Sequence, residues 1–257
     1  MDLKLKNKSV FVSASGQGIG EAIARQFLEE GARVLINDIH KDRLMKVFRK
    51  FKNRFHSNVD FVVGDMTNIK NIEEVTKHVS HKWGKLDILV ANLGSGKPVG
   101  NDRMDVEEWK EFFDVNLYGS IQLIRSLLPQ MKQKGKGSII MISSIAGIQQ
   151  TSAPLGYAAA KASILTLVKN LSFELAKNNI RVNAVAPGNV FFPAGRWQEI
   201  ISEKPGIMDN YIKAGVPMGR FGRPEEIASA VVFLASPVSS FTTGACLIVD
   251  GGETRKY

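Results

Sequence analysis

One cysteine, four histidines and no apolar run long enough to cross a bilayer set the first limits on this 257-residue chain. A single thiol, Cys246, cannot close an intramolecular disulfide, which removes the stapled secreted folds and points to a reducing compartment. The opening MDLKLKNKSVFVSA offers only the short run SVFV before polar Ser13. That is too short for a signal-peptide core, and a membrane span needs ~18 apolar residues. A cytoplasmic protein that meets no membrane is expected. His78 and His81 lie three apart on a helical stretch, but no carboxylate or cysteine completes a ligand set, so no metal site is expected. Cys246 has apolar neighbours in the last strand-like run and is expected in the core.

Acidic residues are also in deficit: 25 against 34 basic ones, a net charge of +9. Much of the excess lies in HKDRLMKVFRKFKNRF, where Lys41, Arg43, Lys46, Arg49, Lys50, Lys52 and Arg54 face only Asp42. One reading is a patch for an anionic partner, whether nucleic acid, an acidic carrier protein or a phosphorylated substrate. The other is the solvated face of a helix. Leu44, Val47, Phe48, Phe51 and Phe55 recur at helical spacing, which puts the cations on the outer side. No aromatic interleaving or helix-turn-helix pattern accompanies the charge, so the solvated face is preferred.

What the chain does have is regular alternation. The strand-like runs are SVFVSA, RVLIND, VDFVVG, LDILVA, SIIMIS, RVNAVA and CLIVDG. Helical runs are expected near 18–30, 41–54, 69–83, 105–132, 155–178 and 224–236. Strand and helix in strict turn imply a parallel sheet covered on both faces. Asp105 with Glu108, and Pro224 with two glutamates, mark helix starts. No linker or low-complexity tract interrupts the pattern. The expectation is an α/β chain forming one doubly wound domain over 1–257, with seven parallel strands. The one long irregular stretch, Pro187 to Arg223, is read as a substrate lid over about 189–223.

Ligands of such sheets bind beyond the carboxyl ends of the strands. After the first strand comes Ser13-Ala14-Ser15-Gly16-Gln17-Gly18-Ile19-Gly20, a glycine-rich turn entering a helix, as a pyrophosphate requires. The spacing G-x-G-x-x-G fails, because Glu21 stands where the third glycine belongs. After the second strand comes Asp38, 20 residues beyond Gly18, where a ribose-binding acid belongs. Asp65, Asn92 to Gly94, Ser143-Ser144 and Pro187-Gly188 end the next strands.

The helix after the fifth strand opens Tyr157-Ala158-Ala159-Ala160-Lys161. Positions i and i+4 share a helix face, so an ammonium beside the phenol would lower its pKa from ~10, as an acid–base group needs. Four tyrosines and 34 basic residues make one such pair an ordinary coincidence. Its company is less ordinary: Ser144 at a strand end 13 residues upstream, and Asn116 in DVNLYGS on the preceding helix.

Taken together, these motifs resemble the short-chain dehydrogenase/reductase family from about Val10 to Gly252. The family's T-G-x-x-x-G-x-G fits as Ser13, Ala14, Gly18 and Gly20. N-N-A-G appears as ANLG, and Asn116, Ser144, Tyr157-x-x-x-Lys161, Pro187-Gly188, GRFGRPEEIA and VDGG follow in order. The resemblance is strongest to 3-oxoacyl-acyl-carrier-protein reductases and to sugar or polyol dehydrogenases. It implies a Rossmann fold and a nicotinamide cofactor, with Tyr157 as general acid/base. Lys161 would lower the Tyr157 pKa and hold the nicotinamide ribose, Ser144 would polarise the substrate oxygen, and Asn116 would hold a relay water. It implies a cofactor site of Ser13, Ser15, Gln17, Gly18, Ile19, Gly20, Asp38, Ile39, Asp65, Met66, Asn92, Gly94, Tyr157, Lys161, Pro187, Gly188 and Val190. The paired helices and last strand of relatives imply a homotetramer with two-fold axes.

Three positions depart from the family. Ala14 replaces a loop glycine, tolerable where φ is negative. Ala91 replaces an asparagine that ties neighbouring strands. Phe192 stands where relatives carry a threonine that bonds the nicotinamide amide. The enzyme reading is an alcohol/ketone oxidoreductase, its substrate a 3-oxoacyl thioester or a sugar or polyol. The rival is a non-catalytic cofactor-sensing regulatory protein, which typically loses the tyrosine or lysine; both stand here. Asp38 favours NAD, with NADP second, weighed above the flexible Lys41 and Arg43 that could offset its charge.

Overall fold

Along the second strand Val34 and Ile36 face one side of the sheet and Leu35 the other, all fully buried. A strand whose consecutive apolar residues point to both faces must be covered on both. The computed structural model describes residues 2–97 and 105–255. Seven strands, β1 (Ser9–Val12), β2 (Arg33–Asp38), β3 (Val59–Val63), β4 (Ile88–Ala91), β5 (Gly137–Ile142), β6 (Ile180–Pro187) and β7 (Cys246–Val249), form one sheet. Every pairing is parallel, in the order β3-β2-β1-β4-β5-β6-β7.

The helices are α1 (Gly18–Glu29), α2 (Lys41–Phe55), α3 (Ile69–Trp83), α4 (Val106–Phe113), α5 (Gly119–Lys134), α6 (Leu155–Leu175), α7 (Arg196–Glu203), α8 (Ile207–Gly215) and α9 (Pro224–Ala235). One face of the sheet packs on α1, α2 and α9, the other on α3, α5 and α6. Each fully buried Leu, Ile or Val contributes about 1.5–3 kcal/mol. The sequence order reverses beside β1, between β1 and β4, which opens a crevice at the carboxyl ends of the strands.

The structure corrects three expectations. The run 105–132 is helical throughout but not one regular α-helix: a π bulge at Asp114–Tyr118 lies between α4 and α5. The stretch 187–223 is not all irregular, since α7 and α8 are amphipathic helices too short to declare themselves in sequence. Cys246 is exposed, with Leu247 beside it. It lies on β7, which pairs with β6 alone, and apolar neighbours imply burial only for a strand covered on both sides.

The basic helix α2 buries Leu44, Val47 and Phe51. Three of its cations pair with nearby acids: Arg43 with Asp38 at 2.6 Å, Lys50 with Glu21 at 2.9 Å and Arg54 with Glu29 at 3.1 Å. His78 lies 3.1 Å from Asp60, a carboxylate that Lys82 also pairs and that sequence spacing did not bring near.

Candidate active site

The loop between β1 and α1 is held by its own polar residues. Ser13 Oγ accepts from Asn92 N at 2.9 Å, and Asn92 Nδ2 donates to Ala14 O at 3.1 Å. The tie between β1 and β4 that Ala91 cannot make is thus made by Asn92. Ser15 Oγ donates to Val12 O at 2.9 Å and accepts from Asn37 N at 2.9 Å. Ser13 and Ser15 are both buried, so their side chains serve the loop rather than its ligand. Buried Asn37, which no sequence motif marks, accepts from Ala14 N at 3.3 Å and donates to Val62 O and Gly64 O.

Ala14 departs from its expected conformation. Its φ is +48, in the left-handed region, so the lost glycine is felt as strain rather than tolerated. Gly18, at φ +57, is also positive, and a Cβ there would stand 2.6 Å from the Phe192 ring. Phe192 therefore leans from the 189–223 segment onto the glycine loop. α1 starts at Gly18 with no side-chain cap, which leaves the amides of its first turn available to an anion.

Asp38 closes β2, 1% exposed. Its carboxylate accepts from Gly16 N at 3.2 Å and His40 N at 2.9 Å, and from Arg43 through Nε at 3.2 Å and Nη2 at 2.6 Å. Ile39 beside it is exposed, as a residue covering an adenine would be. Asp65 is turned into its own loop, accepting from Thr67 N at 2.8 Å. The Met66 side chain is fully buried in the core behind β4, so it offers a ligand no side-chain contact.

Lys161 is 2% exposed and donates to Leu93 O at 3.0 Å and Ile142 O at 2.9 Å. Its Nζ lies 5.7 Å from the centre of the Tyr157 ring. Burial pulls the ammonium down to about 7. Burial likewise pushes the Tyr157 phenol above its ordinary 10, against a downward pull from the Ser144 hydroxyl. The expected lowering of the phenol by Lys161 is thus not found: both groups lose solvation, and the Lys161 hydrogen bonds described go to carbonyls rather than to the phenol.

Asn116 sits in the π turn, fully buried. Its Nδ2 donates to Phe112 O at 2.9 Å and Ser95 O at 3.1 Å, and its Oδ1 accepts from Ser95 N at 3.1 Å. The widened turn leaves the Phe112 carbonyl for this side chain to take up. With Ser95 N as its described donor, Oδ1 keeps one lone pair.

Of these groups Ser144, Tyr157 and Lys161 share one cavity of about 630 Å³, whose lining does not include Asn116 or Asp38. Ile19, Asn92 and Gly94 line it together with Ser144, Tyr157 and Lys161. Pro187, Gly188 and Val190 form one wall; Trp109 and Phe112 of α4, unforeseen from sequence, form another. Asn189, Trp197 and Tyr211 close the far end, where Trp197 and Tyr211 stack edge to face at 5.1 Å.

A family model described as enoyl-(acyl carrier protein) reductase matches residues 13–254. The chain is 36% identical to the 3-oxoacyl-[acyl-carrier-protein] reductase FabG of Thermotoga maritima over 97% of its own length and 99% of the relative's. The chain belongs to the short-chain dehydrogenase/reductase family. Among solved structures of this family, it superposes on L-sorbose reductase from Gluconobacter frateurii, complexed with NADPH and L-sorbose, with a TM-score of 0.93 at 30% identity. Both chains are covered fully. A 7α-hydroxysteroid dehydrogenase complexed with NADH and 7-oxo glycochenodeoxycholic acid gives 0.89 at 30% identity, over 99% and 97% of the two chains. As a short-chain dehydrogenase/reductase the chain is an NAD(P)-dependent alcohol/ketone oxidoreductase. The residues present fit a nicotinamide dinucleotide. The uncapped start of α1 and Asp38 lie at one end of the crevice, and the cavity runs from Ile19 to Lys161.

Proposed function

We propose that the chain interconverts a ketone and a secondary alcohol with Tyr157 as general acid and base, as one catalytic domain with a lid over 189–223. The observation that carries this is Tyr157, Ser144 and buried Lys161 on the wall of a single cavity. When bound, the nicotinamide dinucleotide supplies or takes up the hydride. Ser144 holds the substrate oxygen through its hydroxyl. Tyr157, kept protonated by its burial, gives its proton to that oxygen as negative charge develops there, and recovers it in the reverse direction. Lys161 stabilises the phenolate left behind and holds the nicotinamide ribose. Asn116 holds the relay water and keeps the Ser95 backbone against the π turn.

The cofactor we propose is NAD, through Asp38, with the amides of Gly18 to Gly20 taking the pyrophosphate. Ile39, Asp65 and Gly94 flank the dinucleotide, and Pro187 to Val190 meet the nicotinamide. The partner is a small-molecule ketone or alcohol. Neither nucleic acid nor an acidic carrier is proposed, because Asp38, Glu21 and Glu29 take up Arg43, Lys50 and Arg54. No helix among the described residues is long and apolar enough to cross a membrane, and we place the protein in the cytoplasm.

A homotetramer is supported by apolar residues left open around β7 and α6. Phe241 is fully exposed, Phe173 is 87% exposed, and Leu247 joins them. Small residues Ala158, Ala159, Ala162 and Ser163 of α6 allow close helix approach. A panel of ketones and alcohols read at the nicotinamide absorbance tests the activity; turnover of none contradicts it.

A further inference from the structure

One carboxylate away from the catalytic groups is buried without a cation. Glu253, 7% exposed, stands in the C-terminal turn, and no Lys or Arg pairs with it among the described residues. Neutral donors meet it instead. Asn189 Nδ2 donates to its two oxygens at 2.8 and 2.9 Å, and the Tyr211 hydroxyl donates to Oε1 at 3.0 Å. The close approach depends on Gly188. A Cβ there would lie 2.7 Å from Asp250 Cβ and 3.2 Å from Glu253 Oε2. The turn is also pinned to the loop after Ser144, since Gln149 Nε2 donates to Glu253 O at 3.2 Å.

In each of these bonds Glu253 is the acceptor. The Tyr211 proton is therefore directed at Glu253, which leaves the phenolic oxygen as an acceptor. The Asn189 amide nitrogen is engaged in the same way. Its Oδ1 takes the Trp197 indole N–H at 2.9 Å and keeps one lone pair. Asn189, Tyr211 and Ser152 line the same cavity as Tyr157 and Ser144.

We propose that Glu253 is a positioning residue that makes this wall a row of hydrogen-bond acceptors. The site then takes a ketone or alcohol carrying further hydroxyl groups, rather than a bare alkyl or acyl chain. The proposal rests on the alcohol/ketone reading above. Each extra hydroxyl donates to an acceptor already aimed at the cavity. An alkyl chain in its place would strip water from those oxygens and return nothing.

The test compares keto-pentoses and keto-hexoses with unbranched alkanones of equal carbon number, on wild type, Glu253→Gln and Tyr211→Phe. In wild type the best ketose exceeds its alkanone in kcat/KM by at least about tenfold, the value of roughly one well-placed hydrogen bond. Glu253→Gln keeps the shape but turns an amide donor toward Asn189 and Tyr211. It lowers the ketose-to-alkanone ratio about tenfold, through the ketose KM and with little change in kcat. Tyr211→Phe, which leaves Glu253 in place, lowers the ratio in the same direction. Preference for alkanones in wild type overturns the proposal. So does an unchanged ratio in both variants, which is what a merely structural role gives. Cofactor binding with no ketone of either kind reduced contradicts instead the oxidoreductase reading beneath it.

Discussion

Arg43 lays its guanidinium along the carboxylate of Asp38, with Nε 3.2 Å from one oxygen and Nη2 2.6 Å from the other. Weighing Asp38 as a fixed charge against mobile neighbours therefore understates Arg43, which is already docked. A bare carboxylate about 4 Å from a 2′-phosphate repels each unit charge by ~1 kcal/mol in water and ~4 at an effective dielectric of 20. Arg43 offsets part of that repulsion.

The first expectation is that NADH binds more tightly than NADPH, and that Arg43→Ala widens the gap by about tenfold, since it strips the cation and leaves the carboxylate. Asp38→Ser narrows or inverts it. Fluorescence-titrated Kd values at fixed ionic strength read both. Equal Kd values in wild type, or equal losses for both cofactors in Arg43→Ala, contradict the assignment.

Ala14 sits at φ +48, where an alanine is strained by about 1 kcal/mol or more and a glycine is not. Ala14→Gly is expected to stabilise the protein by about 0.5–1 kcal/mol, after the entropy glycine adds to the unfolded chain. For a chain of this size that raises Tm by roughly 1–4 °C. A lower Tm would show that the methyl is supported by contacts that outweigh its strain.

Lys161 gives a pH signature. Its native pKa falls to about 7 through burial, while the unfolded chain keeps the ordinary 10.5. Between those values the unfolded state binds more protons, so stability contributed by this site falls as pH drops from 10.5 toward 7 and levels off below. In the cofactor-free protein, the stability of Lys161→Met relative to wild type is expected to rise over that window as pH falls. Urea unfolding at pH 9.5, 8 and 6.5 measures it, and a flat or opposite trend rules it out. The variant's loss of two carbonyl partners is the same at each pH and drops out of the trend.

Light scattering at micromolar concentration is expected to give four times the chain mass of 28.3 kDa. Phe241→Glu, which charges a fully exposed ring, is expected to lower it. A wild-type monomer contradicts the tetramer.

Much of this was legible because the strands announce themselves. RVLIND and SIIMIS carry unbroken apolar centres, VLI and IIMI, as a sheet covered on both faces requires, and each ends on a polar residue at the carboxyl end of its strand. Tyr157 and Lys161 were legible through helical spacing. The Glu253 network was not, because residues 189, 211 and 253 meet only once the C-terminal turn folds back on Gly188, and no local period links them. Cys246 was misread because sequence cannot tell an edge strand from a central one. The π turn at Asn116 escaped because its apolar pattern continues through it. Ala14 was misjudged because φ follows from the Asn37 and Asn92 bonds around the loop, not from its neighbours in sequence.

Tyr157→Phe tests the central claim most directly. It removes one oxygen and keeps the ring that packs in the cavity. Single-turnover hydride transfer to a ketone that wild type reduces, read at the nicotinamide absorbance, is expected to slow by ~10²–10⁴-fold, the loss of a general acid. The Kd for the cofactor is expected to stay within about twofold. A rate within a few-fold of wild type, with the cofactor bound as tightly, would contradict Tyr157 as the proton donor.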